Sequence, residues 1–339
     1  MRLPGAPIFA SAPPLFPAPF PFMPAYLSGL CRRSLRLFLT LLKVMLPVLI
    51  AVRVGESLGL VQLAGQALAP IMQVFNLPPE AGLVWMACLV AGIYAGLGAL
   101  IGLAAVMDLT VAQLSALAAM MLFAHAIPVE QAIVRRAGAS FWFTSALRVG
   151  TAALYGAAVS WLCAALDILQ QPATLAWLQG SGASERAAQD HLAWAQGTLV
   201  SLGTTYLIIV ALLVLLDVFE RIGLTRRITA LMVPVLRVSG LEARVAPVTT
   251  VGVLLGLTYG GALIIEAAAR EGYSPRTRLL ALSWLSLSHS LIEDTLLMIA
   301  LGADFWIVLV GRVLLTMLIV AVMARVWRQP AGQPLAGAA

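Results

Sequence analysis

The sequence predicts an all-α polytopic membrane protein made of two inverted repeats. Each repeat is expected to hold three transmembrane helices, an interfacial helix and a re-entrant hairpin. Three observations lead there. The 339 residues are 61% apolar and 11% charged, with a mean hydropathy of +0.96, whereas a soluble domain carries about 25% charge. The chain matches itself, without a gap, at a shift of 164 residues. Its basic residues gather on one side of a bilayer only if one apolar run in each repeat folds back instead of crossing.

Composition also excludes several classes. The apolar runs are continuous, not alternating, which rules out a transmembrane β-barrel. Net charge is +6, from 21 Lys+Arg against 15 Asp+Glu, a balance that fits cytoplasmic loops and calls for no nucleic acid. Cys31, Cys88 and Cys163 are scattered through apolar runs and suggest neither a disulfide framework nor a metal cluster. No phosphate-binding glycine loop occurs, so no nucleotide or other cofactor is expected. Ser288, His289 and Ser290 are adjacent, and neighbours on a helix point in different directions. They do not form a nucleophile–base pair, and no enzyme is expected.

The elements follow in order. Residues 1–34 are expected to be a disordered proline-rich leader and basic flank, with eight prolines between Pro4 and Pro24; that density breaks any helix. The first repeat is expected over 35–166 and the second over 198–328, joined by a polar linker at 167–197 and followed by a Pro/Gly/Ala tail at 329–339. Glu56 matches Glu220, Pro70 matches Pro234, and Gly92 and Gly96 match Gly256 and Gly260. Glu130 matches Asp294, Phe141-Trp142 matches Phe305-Trp306, and Arg148 matches Arg312. His125 matches His289, a costly coincidence in a chain with 3 histidines.

Each repeat opens with a long apolar run, Leu35–Val54 or Leu199–Val218. A shorter amphipathic stretch with a proline follows, Leu60–Phe75 or Thr225–Val238. Next comes an apolar run broken by small residues, Ala81–Met107 or Val245–Ala269. Two further runs close each repeat: Val111–Val134 and Ser140–Leu162, or Arg278–Leu301 and Phe305–Arg325. If the glycine-broken runs are hairpins, each repeat has three true spans and the copies are inverted. Of the 21 basic residues, 17 then fall inside, Arg53 and Arg186 fall outside, and Arg148 and Arg312 lie within spans. If the broken runs cross, the split drops to 11 against 8. The positive-inside rule selects the hairpins, with both termini cytoplasmic.

Few residues remain to carry chemistry at membrane depth. His289, Glu293 and Asp294 lie mid-span, where a bare carboxylate costs several kcal/mol and needs a partner or water. His289 and Glu293 are four apart and would share a helical face. The first repeat offers His125 and Glu130, with Pro128 expected to kink the helix between them. Arg148 and Arg312 could hold an anionic group, or could pair with Glu130 and Asp294. Tyr259, Gly260, Gly261 and Glu266 mark the second hairpin, where glycines permit either close ligand approach or helix packing.

The stretch Gly256-Leu-Thr-Tyr-Gly-Gly261 with Glu266, followed by Ser288-His-Ser-Leu-Ile-Glu-Asp-Thr295, resembles the nucleoside-recognition or Gate domain. That domain occurs in spore maturation proteins A and B and in ferrous iron transporter B, and is similar to part of the concentrative nucleoside transporters. This chain looks like two such domains fused. The inverted repeat and the midplane His/carboxylate cluster point to a secondary transporter or permease coupled to protons or cations, and the resemblance implies a small polar, nucleoside-like solute. Alternatives are a divalent metal-ion permease, with His125, His289, Glu293 and Asp294 as ligands, and a non-transporting scaffold. The expected surroundings are the lipid bilayer of a bacterial-type inner membrane, with the solute or a cation as partner and a homo-oligomer left open.

Overall fold

The computed structural model describes residues 23–104, 106–174 and 191–327. The leader through residue 22, residues 175–190 of the linker and the tail from 328 lie outside the described residues. The first repeat comprises α1 (Met23–Ser57), α2 (Leu60–Val74), α3 (Glu80–Ala91), α4 (Ile93–Leu103), α5 (Val111–Phe123), α6 (Ile127–Arg136) and α7 (Phe141–Ala165). The second comprises α8 (His191–Arg221), α9 (Leu224–Val238), α10 (Ala246–Leu255), α11 (Leu257–Glu271), α12 (Pro275–Leu287) and α13 (Glu293–Ala300). A π-helical turn, Trp306–Gly311, then runs into α14 (Arg312–Val326).

Among the described residues, five segments are long and apolar enough to cross a membrane: Ala25–Ser57, Val111–Arg136, Phe141–Ala165, Leu192–Arg221 and Trp306–Val326. The sixth expected span, Arg278–Leu301, is cut into α12 and α13. Its middle carries Ser286, Ser288, His289, Ser290, Glu293, Asp294 and Thr295. At the break His289 bonds the Leu285 carbonyl, and Arg312 takes the freed carbonyls of Leu287 and His289.

The repeat is legible in the backbone itself. Positive φ occurs in pairs 164 residues apart: Gly59 with Gly223, Asn76 with Gly240, Gly92 with Gly256, Ala126 with Ser290, and Gly138 with Gly302. Gly92 (φ +99, ψ 176) and Gly256 (φ +102, ψ 166) occupy a region open essentially to glycine alone. There the chain reverses, so α3 packs back on α4, and α10 on α11. A Cβ on Gly96 would lie 2.8 Å from that of Cys88, and one on Gly252 would lie 2.6 Å from the Cα of Gly260. Both broken runs are therefore tight helical hairpins.

The equivalent helices α1 and α8 run antiparallel. Near one end, Tyr26 and Arg33 reach Asp217, at 3.0 and 2.5 Å. Midway, Ser34 and Phe38 meet Tyr206. At the other end, Arg53 lies over the ring of Trp194. Repeats whose matching helices oppose each other are inverted.

The two ends of the bundle differ in charge. At one, Arg276 donates to the carbonyls of Trp327 and Ala324 (2.6 and 2.7 Å), Thr277 to Glu242, and Arg244 to the Glu271 carbonyl. Arg278 lies against Gly138 of the α6–α7 loop. At the other end, Gln113 and Ser160 donate to the Asn76 carbonyl, and the Val111 amide to that of Gln171. The Asp304 amide bonds Ser115. The segments meeting there, residues 76–80, 106–113, 160–173 and 302–306, contain no Lys or Arg.

Candidate functional site

The site is built on two interrupted helices. Between α5 and α6 the chain turns at Ala126 (φ +45), and between α12 and α13 at Ser290 (φ +47). Each interruption is buttressed by its own hairpin tip. The Ala126 amide donates to the Cys88 carbonyl, and the Leu291 amide to that of Val253, both at 3.0 Å. Gly92 and Gly256 lie beside Ala126 and Ser290, and a Cβ on Gly256 would meet the Ser290 hydroxyl at 3.1 Å.

Each interruption leaves a helix C-terminus facing a helix N-terminus, and charge is disposed accordingly. Cations belong at C-termini and anions at N-termini, where the unpaired carbonyl and amide groups lie. Arg148 donates from Nε to the Phe123 carbonyl at the end of α5 (2.8 Å). Arg312 does the same for Leu287 at the end of α12 (3.1 Å) and also reaches the Leu122 and His289 carbonyls (3.0 and 3.1 Å). Both arginines are fully buried. Glu130 lies in the first turn of α6, and Glu293 and Asp294 in that of α13.

The two histidines meet between the breaks. His125 Nδ1 lies 2.9 Å from the Met121 carbonyl, and His289 Nδ1 lies 2.8 Å from the Leu285 carbonyl. A carbonyl only accepts, so each Nδ1 bears a hydrogen, and a ring in its neutral form presents an Nε2 lone pair. The two Nε2 atoms face each other at 2.9 Å. Glu130 Oε1 closes the triangle, 3.2 Å from His125 Nε2 and 3.1 Å from His289 Nε2. The other carboxylate oxygen, Oε2, is paired with Arg148. Both histidines are buried, and the Glu130 side chain is 15% exposed.

This arrangement corrects several expectations. His289 does not share a helical face with Glu293, because residues 288–292 are not helical. Pro128 does not kink a continuous helix; it sits in the first turn of α6, where its missing amide hydrogen costs nothing. The expected Arg148–Glu130 pair forms, but among the described residues no ion pair joins Asp294 to Arg312. Asp294 is buried without contacting the histidines, and Glu293 is exposed. Tyr94, beside the first hairpin tip, is within electrostatic range of both acids.

Glu266 is exposed on α11. Gly260 and Gly261 serve packing, against Gly252 and against Ile133 of α6. The side chain of Tyr259 lies outside the described ones. Sequence reasoning missed Ala126 and Ser290 as the turning points. The available signal was the pair of small residues flanking each histidine, Ala124 and Ala126 in one repeat and Ser288 and Ser290 in the other.

The comparisons agree with the doubled architecture. The Gate family, described as nucleoside recognition, matches twice, at residues 38–140 and 203–305. The chain is also 26% identical over 292 residues to the uncharacterized membrane protein YvoD of Bacillus subtilis (strain 168), covering 86% of this chain and 91% of that protein. No solved structure matches significantly. With both hairpins and both interrupted helices inside the two matched segments, the chain belongs to the nucleoside-recognition (Gate) family and is a multi-pass membrane protein with two such domains in tandem.

Proposed function

We propose that the chain is a secondary permease for a small polar solute of the nucleoside class, coupled to a cation. The observation that carries this reading is the convergence of two hairpin tips and two interrupted helices, related by inversion, around a buried polar cluster. Broken helices at the junction of inverted repeats are how secondary transporters build a midplane site with two alternative openings. In this reading α2 and α9 lie along the membrane surface and both hairpins are re-entrant. Both termini and the arginine-rich end face the cytoplasm of a bacterial-type inner membrane. Irregular backbone at that depth then lines a watery cavity instead of lipid. Glu293, Asp294 and Tyr94 would face the solute, with Arg148 and Arg312 stabilising the helix ends beneath it. The reading involves no enzymatic step.

Uptake of labelled purine and pyrimidine nucleosides into proteoliposomes under imposed ion gradients tests this. Saturable flux that is lost in His289→Ala is expected. Absence of saturable flux for every nucleoside offered would overturn it. One observation favours a second reading, a divalent metal-ion permease: the convergence of His125, His289 and Glu130. Uptake of a divalent ion without nucleoside flux would select that reading, and flux of neither would leave a membrane scaffold.

A further inference from the structure

We infer that His125, His289 and Glu130 form a binding site for one first-row divalent transition-metal ion. The site spans the two repeats. This inference rests on the geometry of three ligand atoms and holds whether the ion is cargo, coupling partner or permanent resident.

The first ground is an unpaired set of acceptors. With Nδ1 of each ring donating to a backbone carbonyl, both Nε2 atoms present lone pairs. Glu130 Oε1 is likewise an acceptor, since its carboxylate is ionised against Arg148. With both rings neutral, three acceptors converge within 2.9–3.2 Å of one another. Burying such a set costs free energy unless a cation stands among them.

The second ground is spacing. An ion with bonds of ~2.0–2.1 Å holds adjacent ligand atoms ~3.3–3.4 Å apart in a tetrahedron and ~2.9 Å apart on an octahedral face. The observed edges of 2.9, 3.1 and 3.2 Å fall within that range. Two imidazoles and one carboxylate are the donor set of zinc-class and iron(II)-class sites, which keep further positions open. Calcium and magnesium prefer all-oxygen ligation and are disfavoured.

The third ground is the surrounding shell. Ligating histidines are oriented by a hydrogen bond from the other ring nitrogen, and both are so oriented here by Met121 and Leu285. Arg148 fixes Glu130 through Oε2 and leaves Oε1 free to ligate.

The ligands are split between repeats, with His125 and Glu130 from the first and His289 from the second. An ion would thus fasten the two interrupted helices together, and its loss would free them. The open coordination positions suit a water or a polar group of a solute.

The test uses the full-length protein in detergent, stripped with chelator and titrated with Co(II) and Zn(II). One ion per chain is expected. The Co(II) complex should show ligand-field absorption of a nitrogen/oxygen site, without the thiolate charge-transfer band that cysteine ligation would give. His125→Asn and Glu130→Gln should each weaken binding by more than the ~10–100-fold typical of losing an outer-shell partner. If those variants fold poorly, the wild-type protein still decides, because saturating Zn(II) must raise its melting temperature. No stoichiometric Co(II) binding, a thiolate band, or undiminished binding in His125→Asn/His289→Asn would each overturn the site. Flux is measured separately: nucleoside transport without metal binding refutes the metal site alone, and metal binding without flux refutes the permease alone.

Discussion

Asp294 stands in the second repeat where Glu130 stands in the first, and only Glu130 is paired with its repeat's arginine. The difference is one methylene. Glu130 spans from the first turn of α6 to Arg148 on α7 and still offers an oxygen to both histidines. Asp294 is paired with neither, and Arg312 instead donates from Nε and Nη2 to three carbonyls while its buried Nη1 makes no hydrogen bond. A sequence repeat has become structurally asymmetric at its carboxylate.

That asymmetry predicts unequal costs. Arg148→Ala leaves the Glu130 charge uncompensated in a largely buried site and should destabilise the protein by ~3–5 kcal/mol. Combining it with Glu130→Gln should recover part of that loss, whereas Asp294→Asn should cost little because no ion pair is broken. Thermal unfolding of the four proteins in detergent, read as a double-mutant cycle, checks this; additive effects of Arg148→Ala and Glu130→Gln would contradict the pairing.

The hairpins predict a steric effect. A Cβ on Gly252 or Gly260 would fall 2.6 or 2.5 Å from the other residue's Cα, so backbone must move. Each change to alanine should destabilise by ~1–3 kcal/mol. The control is Gly203→Ala on α8, where nothing lies within 4 Å; the gain in helix propensity there should leave stability equal or raised by up to ~1 kcal/mol. Melting temperatures that fall equally for all three would argue against close hairpin packing.

The proposed re-entrance predicts sidedness. In a Cys31→Ser background, a cysteine replacing Asp108 after the first hairpin should react with an impermeant maleimide only from outside. One replacing Glu271 at the end of the second should react only from the cytoplasmic side. Both positions are exposed, whereas the neighbouring Tyr273 is buried and would report packing instead. Labelling of both from one side would remove the inverted, re-entrant arrangement.

The arginine-rich end predicts a pH dependence. Glu242 lies in the loop between α9 and α10. Partial burial opposes its ionisation, but hydrogen bonds from Thr277 and Arg244 outweigh that and hold the carboxyl below its usual range. Its contribution to stability is complete above the unfolded value of ~4.3 and is lost as pH falls through the lower folded value. Thr277→Val should raise the folded value and shrink this acid-linked loss. Melting curves in detergent from neutral to acid pH measure it, and an unchanged acid limb in Thr277→Val would refute the assignment.

Much of the architecture was legible from residue chemistry. Continuous apolar runs require helices in lipid, because backbone groups find no other partner there. The histidine, arginine and glycine matches revealed the duplication, and Gly92 and Gly256 marked both reversals. The site was less legible. His125 and His289 were identified singly, but Glu293 was set against His289 on the assumption that the Arg278–Leu301 run is one helix. Glu266, on a hairpin that looked functional, turned out to lie on its exposed face.

By itself, then, the sequence determined a doubled, inverted, helical membrane protein and a short list of polar candidates, from which Glu266 and Glu293 proved exposed. Those properties follow from composition and spacing, which act along the chain. Only the tertiary structure decided that His125, Glu130 and His289 converge while Glu293 and Asp294 do not. Their meeting depends on where two helices stop and which carbonyls are freed. Breaks of three or five residues at Ala126 and Ser290 redirect whole side chains, and no periodicity along the chain encodes that rotation.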